Sequence, residues 1–171
     1  MKKIICVLVL VSLLSTFFIY STVNETKFAR IHVRANSNDE FDQQLKMEVK
    51  EEIVNFLSPM LSQAQSVEKS KEIIRNNILE IEQVANDYLK SKNSLQNATV
   101  KFQNEYFPTR LYGETLVEGG NYDAVIVEIG EGKGDNWWCV VYPPLCFIGG
   151  RETDAQGIIY KSKLKEIFER K

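Results

Sequence analysis

Cys139 and Cys146 stand seven positions apart around Pro143-Pro144. Two readings are open to them. The proline pair can fold the chain back, and a disulfide closes if the α-carbons come within roughly 4.4–6.8 Å. The alternative is two buried free thiols acting as small apolar residues. Cys139 has a further use with His32, the only histidine of the chain, as a nucleophile and its base. Against that stands the blander reading of His32 as a solvated or hydrogen-bonded structural residue. Gly130-Glu131-Gly132-Lys133-Gly134 has the look of a phosphate loop but not its G-x-x-x-x-G-K-[ST] spacing, and Asp135 follows it. It also runs into an expected strand, so no helix dipole would face an anion. Glycines that permit a tight, mobile loop explain it better. Trp137 and Trp138 are adjacent, and on a strand they must point to opposite faces. One can enter the core while the other meets solvent or a partner. Histidine, cysteine and clustered carboxylates are too few for a metal site. Asp39, Glu40 and Asp42 read as first-turn residues that suit a helix dipole. No cofactor is expected.

These residues need elements to place them. Phe28 to Val33 alternates and is β-branched, which predicts a strand. Ser37 with Glu40 three residues on fits a capping box. From there Phe41, Leu45, Val49, Ile53, Phe56 and Met60 share one helical face, up to a stop or kink at Ser58-Pro59. A second amphipathic helix is predicted over 67–89, with a stripe of Ile74, Ile78, Ile81, Ala85 and Tyr88. Strands are predicted over 98–105, 122–129 and 137–142, with turns at 107–113 and 118–121. Residues 130–136 read as a glycine-rich hairpin loop joining the last two strands. Residues 163–168 read as a short C-terminal helix. The sum is an α+β domain: a mostly antiparallel sheet packed against an α-helical hairpin, with a short C-terminal helix.

The chain has 171 residues, 44% of them hydrophobic and 26% charged, an ordinary globular composition. It opens on Lys2-Lys3 and an apolar run from Ile4 to Tyr20, the pattern of a secretory leader. As a helix that run would reach about 25 Å, a little short of a bilayer core of roughly 30 Å. Residues 1–23 are therefore expected to be a signal peptide or an N-terminal membrane anchor, and 24–171 a single exported domain. Cys6 lacks the small-residue context of a lipid-modified cysteine. Without Lys2 and Lys3 the remainder holds 19 basic and 23 acidic residues, a net of −4. No basic face is implied, which argues against nucleic acid as a partner.

Three blocks carry a resemblance. Arg30-Ile-His-Val-Arg-Ala-Asn-Ser37 with Asp42-Gln-Gln-Leu-Lys-Met-Glu-Val-Lys50 is the first. Phe107-Pro-Thr-Arg-Leu-Tyr-Gly113 is the second, and Gly130 to Phe147, with both tryptophans, is the most distinctive. Together they resemble the stage II sporulation protein R family. The resemblance implies a signalling protein of endospore formers, not an enzyme. It implies export from the forespore into the space between forespore and mother cell. There such a protein triggers a membrane-embedded aspartic protease that processes a sigma-factor precursor. Membrane contact is expected only through the N-terminal segment. Residue chemistry, not the family, nominates the contact surface: Lys133, Asp135 and Asn136, an exposed Trp137 or Trp138, and Arg110 with Tyr112. The competing expectation is an exported enzyme using Cys139 and His32.

Overall fold

The computed structural model describes Ser12 and residues 28–112 and 115–146. The expected leader and the expected helix at 163–168 lie outside the described residues. In chain order the elements are β1 (Ala29–Arg34), α1 (Glu40–Leu61), α2 (Val67–Asn76), α3 (Ile78–Ser91), β2 (Ala98–Phe107), β3 (Arg110–Tyr112), β4 (Thr115–Val117), β5 (Gly120–Ile129) and β6 (Asn136–Tyr142). The architecture is α+β, with three helices on one face of a sheet ordered β2-β5-β1-β6.

The sheet is mostly antiparallel, but β1 and β5 run parallel. They can do so because the helical segment and β2 separate them in sequence, as a parallel pair requires. β1 lies between β5 and β6, so residues 130–136 are not the hairpin loop the sequence suggested. They cross the end of β1 instead. The segment expected as a turn at 107–113 contains β3, which pairs with β4 in a separate ribbon.

Strand alternation sorts the side chains. Ile31, Val33, Val125, Val127, Trp137, Cys139 and Val141 join the helix-side core with Leu45, Val49, Ile53, Leu57, Ile74, Ile81 and Leu89. α1 runs through Pro59 to Leu61, so of the stop or kink expected at Ser58-Pro59 the stop does not occur. Leu61 is buried in the core, and Ser62 N–H donates to the Ser58 carbonyl, so the last turn is held. Phe41, expected on the buried face, is 56% exposed. The neighbouring Asp42 is turned inward, and consecutive helical residues lie about 100° apart. The predicted second helix breaks at Asn77, whose side-chain amide donates to the Ile73 carbonyl at 2.7 Å. Such side-chain competition for backbone groups disfavours a continuous helix. The outer edge of β2 is blunted by α3: Ala98 N–H donates to Asn86 at 2.9 Å and Val100 N–H to Glu82 at 2.8 Å.

The expected capping box does not form. Asp39 is the N-cap without a side-chain cap bond, and the Ser37 hydroxyl donates instead to Asp42 Oδ2 at 2.6 Å. Asp42 is buried and takes further bonds from Asn36 Nδ2 at 2.8 Å and Gln96 Nε2 at 2.7 Å.

Candidate functional site

The face of the sheet turned away from the helices carries Arg30, His32 and Arg34 on β1, with Trp138 on β6 and Ala124 and Ile126 on β5. Register places Lys101, not Glu105, at the level of His32, since both align with Ile126. The sheet's twist nonetheless brings Glu105 and Phe107 of β2 across the face. Glu105 Oε1 lies 2.6 Å from His32 Nδ1, and both its oxygens accept from Arg34 Nη2 at 2.9 Å. Arg34 Nη1 donates to Glu128.

Arg30 is the centre of this face and is 0% exposed. Its guanidinium carbon lies 4.3 Å from the Phe107 ring centroid, 5.1 Å from Tyr122 and 5.6 Å from Tyr112. Nη2 donates to the Tyr112 hydroxyl at 2.6 Å, and Nε to the Cys139 carbonyl at 3.4 Å. The Tyr112 hydroxyl donates onward to the Trp138 carbonyl at 3.3 Å. Beside it, Arg110 lies 4.6 Å over the half-buried Trp138 ring, and the His32 ring stands 5.2 Å from the same indole. Burial pulls the Arg30 pKa down, partly offset by Tyr112. Burial also pulls His32 down and outweighs its contacts with Asn136 and Glu105, which favours the neutral ring. Burial alone would raise Glu105, but the bond from His32 and the charge of Arg34 hold it below the usual carboxylate range.

The residues nominated from sequence do not form one surface. Arg110, Tyr112 and Trp138 come together on this face. Trp137 is only 8% exposed and points to the helix side, where Lys50 Nζ lies 5.1 Å from its ring. Neither tryptophan is an exposed anchor. Asn136 pairs with Arg34 at the start of β6. Lys133 and Asp135 lie at the end of the sheet, in a loop that is tied rather than free. Lys133 N–H donates to the Asn36 carbonyl at 3.2 Å, Gly134 N–H to Ala35 at 2.9 Å and Asp135 N–H to Asn38 Oδ1 at 2.6 Å. Lys133 Nζ pairs with Glu131 at 2.7 Å, and the Asp135 carbonyl accepts from Lys46 at 3.0 Å. Gly130 and Gly132 have φ of +58° and +61°, a backbone that suits glycine.

Sequence reasoning passed over Arg30, Arg34, Glu105 and Phe107 as site residues. The signal for two of them was present: the spacing Arg30-x-His32-x-Arg34 on a strand puts all three on one face. Glu105 and Phe107 carried no such signal, because their approach depends on sheet twist.

Cys139 and Cys146 are joined in a disulfide with a Cα–Cα separation of 6.0 Å. Cys146 N–H donates to the Val140 carbonyl at 3.2 Å, so the loop lies back along β6. This corrects the cysteine-enzyme reading. Cys139 shares the register of Ile31 on the helix side, whereas His32 aligns with Trp138 on the opposite face. The sulfur is also bonded and cannot act as a resting nucleophile. Cys146→Ser is expected to lower stability by roughly 2–3 kcal/mol, the chain-entropy value for so short a loop. Urea denaturation with and without reductant checks it: the variant should match the reduced wild type. Among the described residues no cluster of His, Cys, Asp or Glu could hold a metal ion, and no helix is long and apolar enough to cross a membrane.

Comparison with known proteins adds three findings. The family model for stage II sporulation protein R matches residues 25–152. The chain is similar to stage II sporulation protein R of Bacillus subtilis (strain 168), 33% identical over 126 residues, covering 74% of this chain and 56% of that protein. It thus spans little more than half the length of that relative. No solved structure shows a significant match. With well over half of its length matched by the family model, this chain belongs to the stage II sporulation protein R family, a family of sporulation proteins.

Proposed function

We propose that this chain is a protein ligand: an exported domain that docks on a membrane-embedded aspartic protease and promotes processing of a sporulation sigma-factor precursor. Residues 1–23 serve as signal peptide or anchor, and the domain acts in the space between forespore and mother cell. The domain itself makes and breaks no bonds. The observation that carries the docking reading is the face around Arg30, Trp138, Arg110 and Tyr112, where cationic and aromatic groups lie together on the sheet face that none of the described helices covers. Arginine, tyrosine and tryptophan are the residues that dominate protein interfaces. The neighbouring β3–β4 ribbon adds Leu111 and Leu116, cross-strand partners that are 52% and 62% exposed. A ligand shifts a protease between states only by binding one state more tightly, so the contact must be worth more to the active form.

The test is reconstitution of the protease and its sigma-factor precursor in vesicles with the purified chain. Trp138→Ala and Arg110→Glu are expected to cut processing at least tenfold while the thermal midpoint stays within a few degrees of wild type. Lys90→Ala, on the exposed side of α3, should leave processing unchanged. Normal processing with both face variants would remove this docking surface. No processing with wild-type chain would remove the activator role.

A further inference from the structure

The charge balance of the open face is incomplete. Arg30 is fully buried, yet among the described residues it makes no ion pair, and its Nη1 has no hydrogen-bond partner there. Arg110 Nε is likewise buried without a partner. Arg34, four residues along on the same face of β1, is paired with Glu105 and Glu128. His32 directs Nδ1 at Glu105, and in the neutral ring its other nitrogen is an acceptor. It therefore supplies no further donor to the Arg30 side. A buried guanidinium with aromatic walls and one nitrogen without a partner costs free energy unless a counter-charge arrives. Cation–π contacts offset part of that cost but leave the N–H unbonded.

We propose that Arg30 and Arg110 form a carboxylate-binding site, framed by Tyr112, Phe107 and Trp138, whose ligand is a Glu or Asp side chain of the docked partner. Two buried guanidinium nitrogens without a partner, one on each arginine, supply the two donors that the oxygens of a carboxylate take. A tetrahedral dianion would require more donors than the site offers. Arg110 links the two halves, since it lies on Trp138, whose carbonyl receives the same Tyr112 hydroxyl that Arg30 contacts. The partner as source of the carboxylate rests on the docking reading above; the affinity for a free carboxylate does not.

Sodium propionate is the probe, titrated into the purified full-length chain with sodium chloride at matched ionic strength as reference. Tryptophan fluorescence reports directly, because Trp138 carries Arg110 on its face. Wild type should show a saturable response to propionate in the millimolar range and none to chloride. Arg110→Gln should weaken it at least tenfold. Arg30→Met, which removes the unpaired charge but keeps the stem, should abolish the response without lowering the thermal midpoint. A wild-type response no greater than that to chloride, or one unchanged in Arg110→Gln, overturns the site. Loss of propionate binding in variants that still activate the protease fully would keep the site and sink its assignment to the partner. Failure of wild type to activate at all strikes the docking reading instead.

Discussion

Gly134→Ala should destabilise the domain by roughly 3 kcal/mol, far more than a glycine-to-alanine change in an open loop. An added Cβ would land against the Ser37 carbonyl oxygen, 2.6 Å from the Ser37 carbonyl carbon and 2.9 Å from Ala35 Cβ. The first two are backbone atoms and cannot swing aside. Gly134 cannot retreat either, because its N–H holds the Ala35 carbonyl at 2.9 Å. Relief requires parting the 130–135 loop from residues 35–38, which loses several hydrogen bonds of about 0.5–1.5 kcal/mol each on top of the overpacking cost. Gly132→Ala is the internal control. Its nearest neighbours would be 3.7 Å away, so only the left-handed backbone is penalised, by about 1–2 kcal/mol. Urea denaturation of both variants checks the ordering. Equal losses would mean that the close approach at Gly134 has no energetic weight. The same clasp sets where β6 begins against β1, so Gly134→Ala should also disturb the surroundings of Trp138.

Asp42→Ala should cost about 3 kcal/mol at neutral pH, and the cost should shrink in acid. Burial alone would raise the pKa of this carboxyl. Bonds from Ser37, Gln96 and Asn36 outweigh burial and hold it below the ordinary aspartate value. A folded-state pKa below the unfolded one contributes stability above the unfolded value of about 3.9 and loses it as pH falls through the depressed folded value. The wild type should therefore lose this contribution below about pH 4, and the gap to Asp42→Ala should narrow there. Stability curves at pH 7 and pH 3 measure it. A gap that stays constant would show that the ionised carboxylate is not what holds these donors. The position carries this weight because one side chain joins the segment after β1, the first turn of α1 and the segment before β2. Each donor lost with it is a polar group whose partner must be found again in water.

Much of the architecture was legible in local pattern. The alternation of Phe28–Val33, the four-residue spacing of Leu45, Val49 and Ile53 and the β-branched run of Val125–Val127 each report which side of an element meets the core. They do so because burial of apolar groups is enforced residue by residue. The opposite facing of Trp137 and Trp138 followed from the two-residue strand period. The break at Asn77 was hidden because an apolar stripe continues smoothly across it, whereas the break is made by an amide competing for a backbone carbonyl. Phe41 misled because helical spacing admits it to the stripe, while the inward pull of Asp42 rotates it out.

Sequence by itself determined the α+β class, the family, the strand faces and the pairing potential of two cysteines seven residues apart. These rest on local periodicity, short loops and rare residues in a fixed order, all of which are properties of neighbours along the chain. Only the tertiary structure decided that β1 enters between β5 and β6, that the glycine loop is clasped to residues 35–38, and that Cys139 and His32 lie on opposite faces. It also decided that Arg30 is buried with one nitrogen left without a partner. Those outcomes depend on strand order and sheet twist, which are set by the packing of distant segments and leave no mark in the spacing of any one of them.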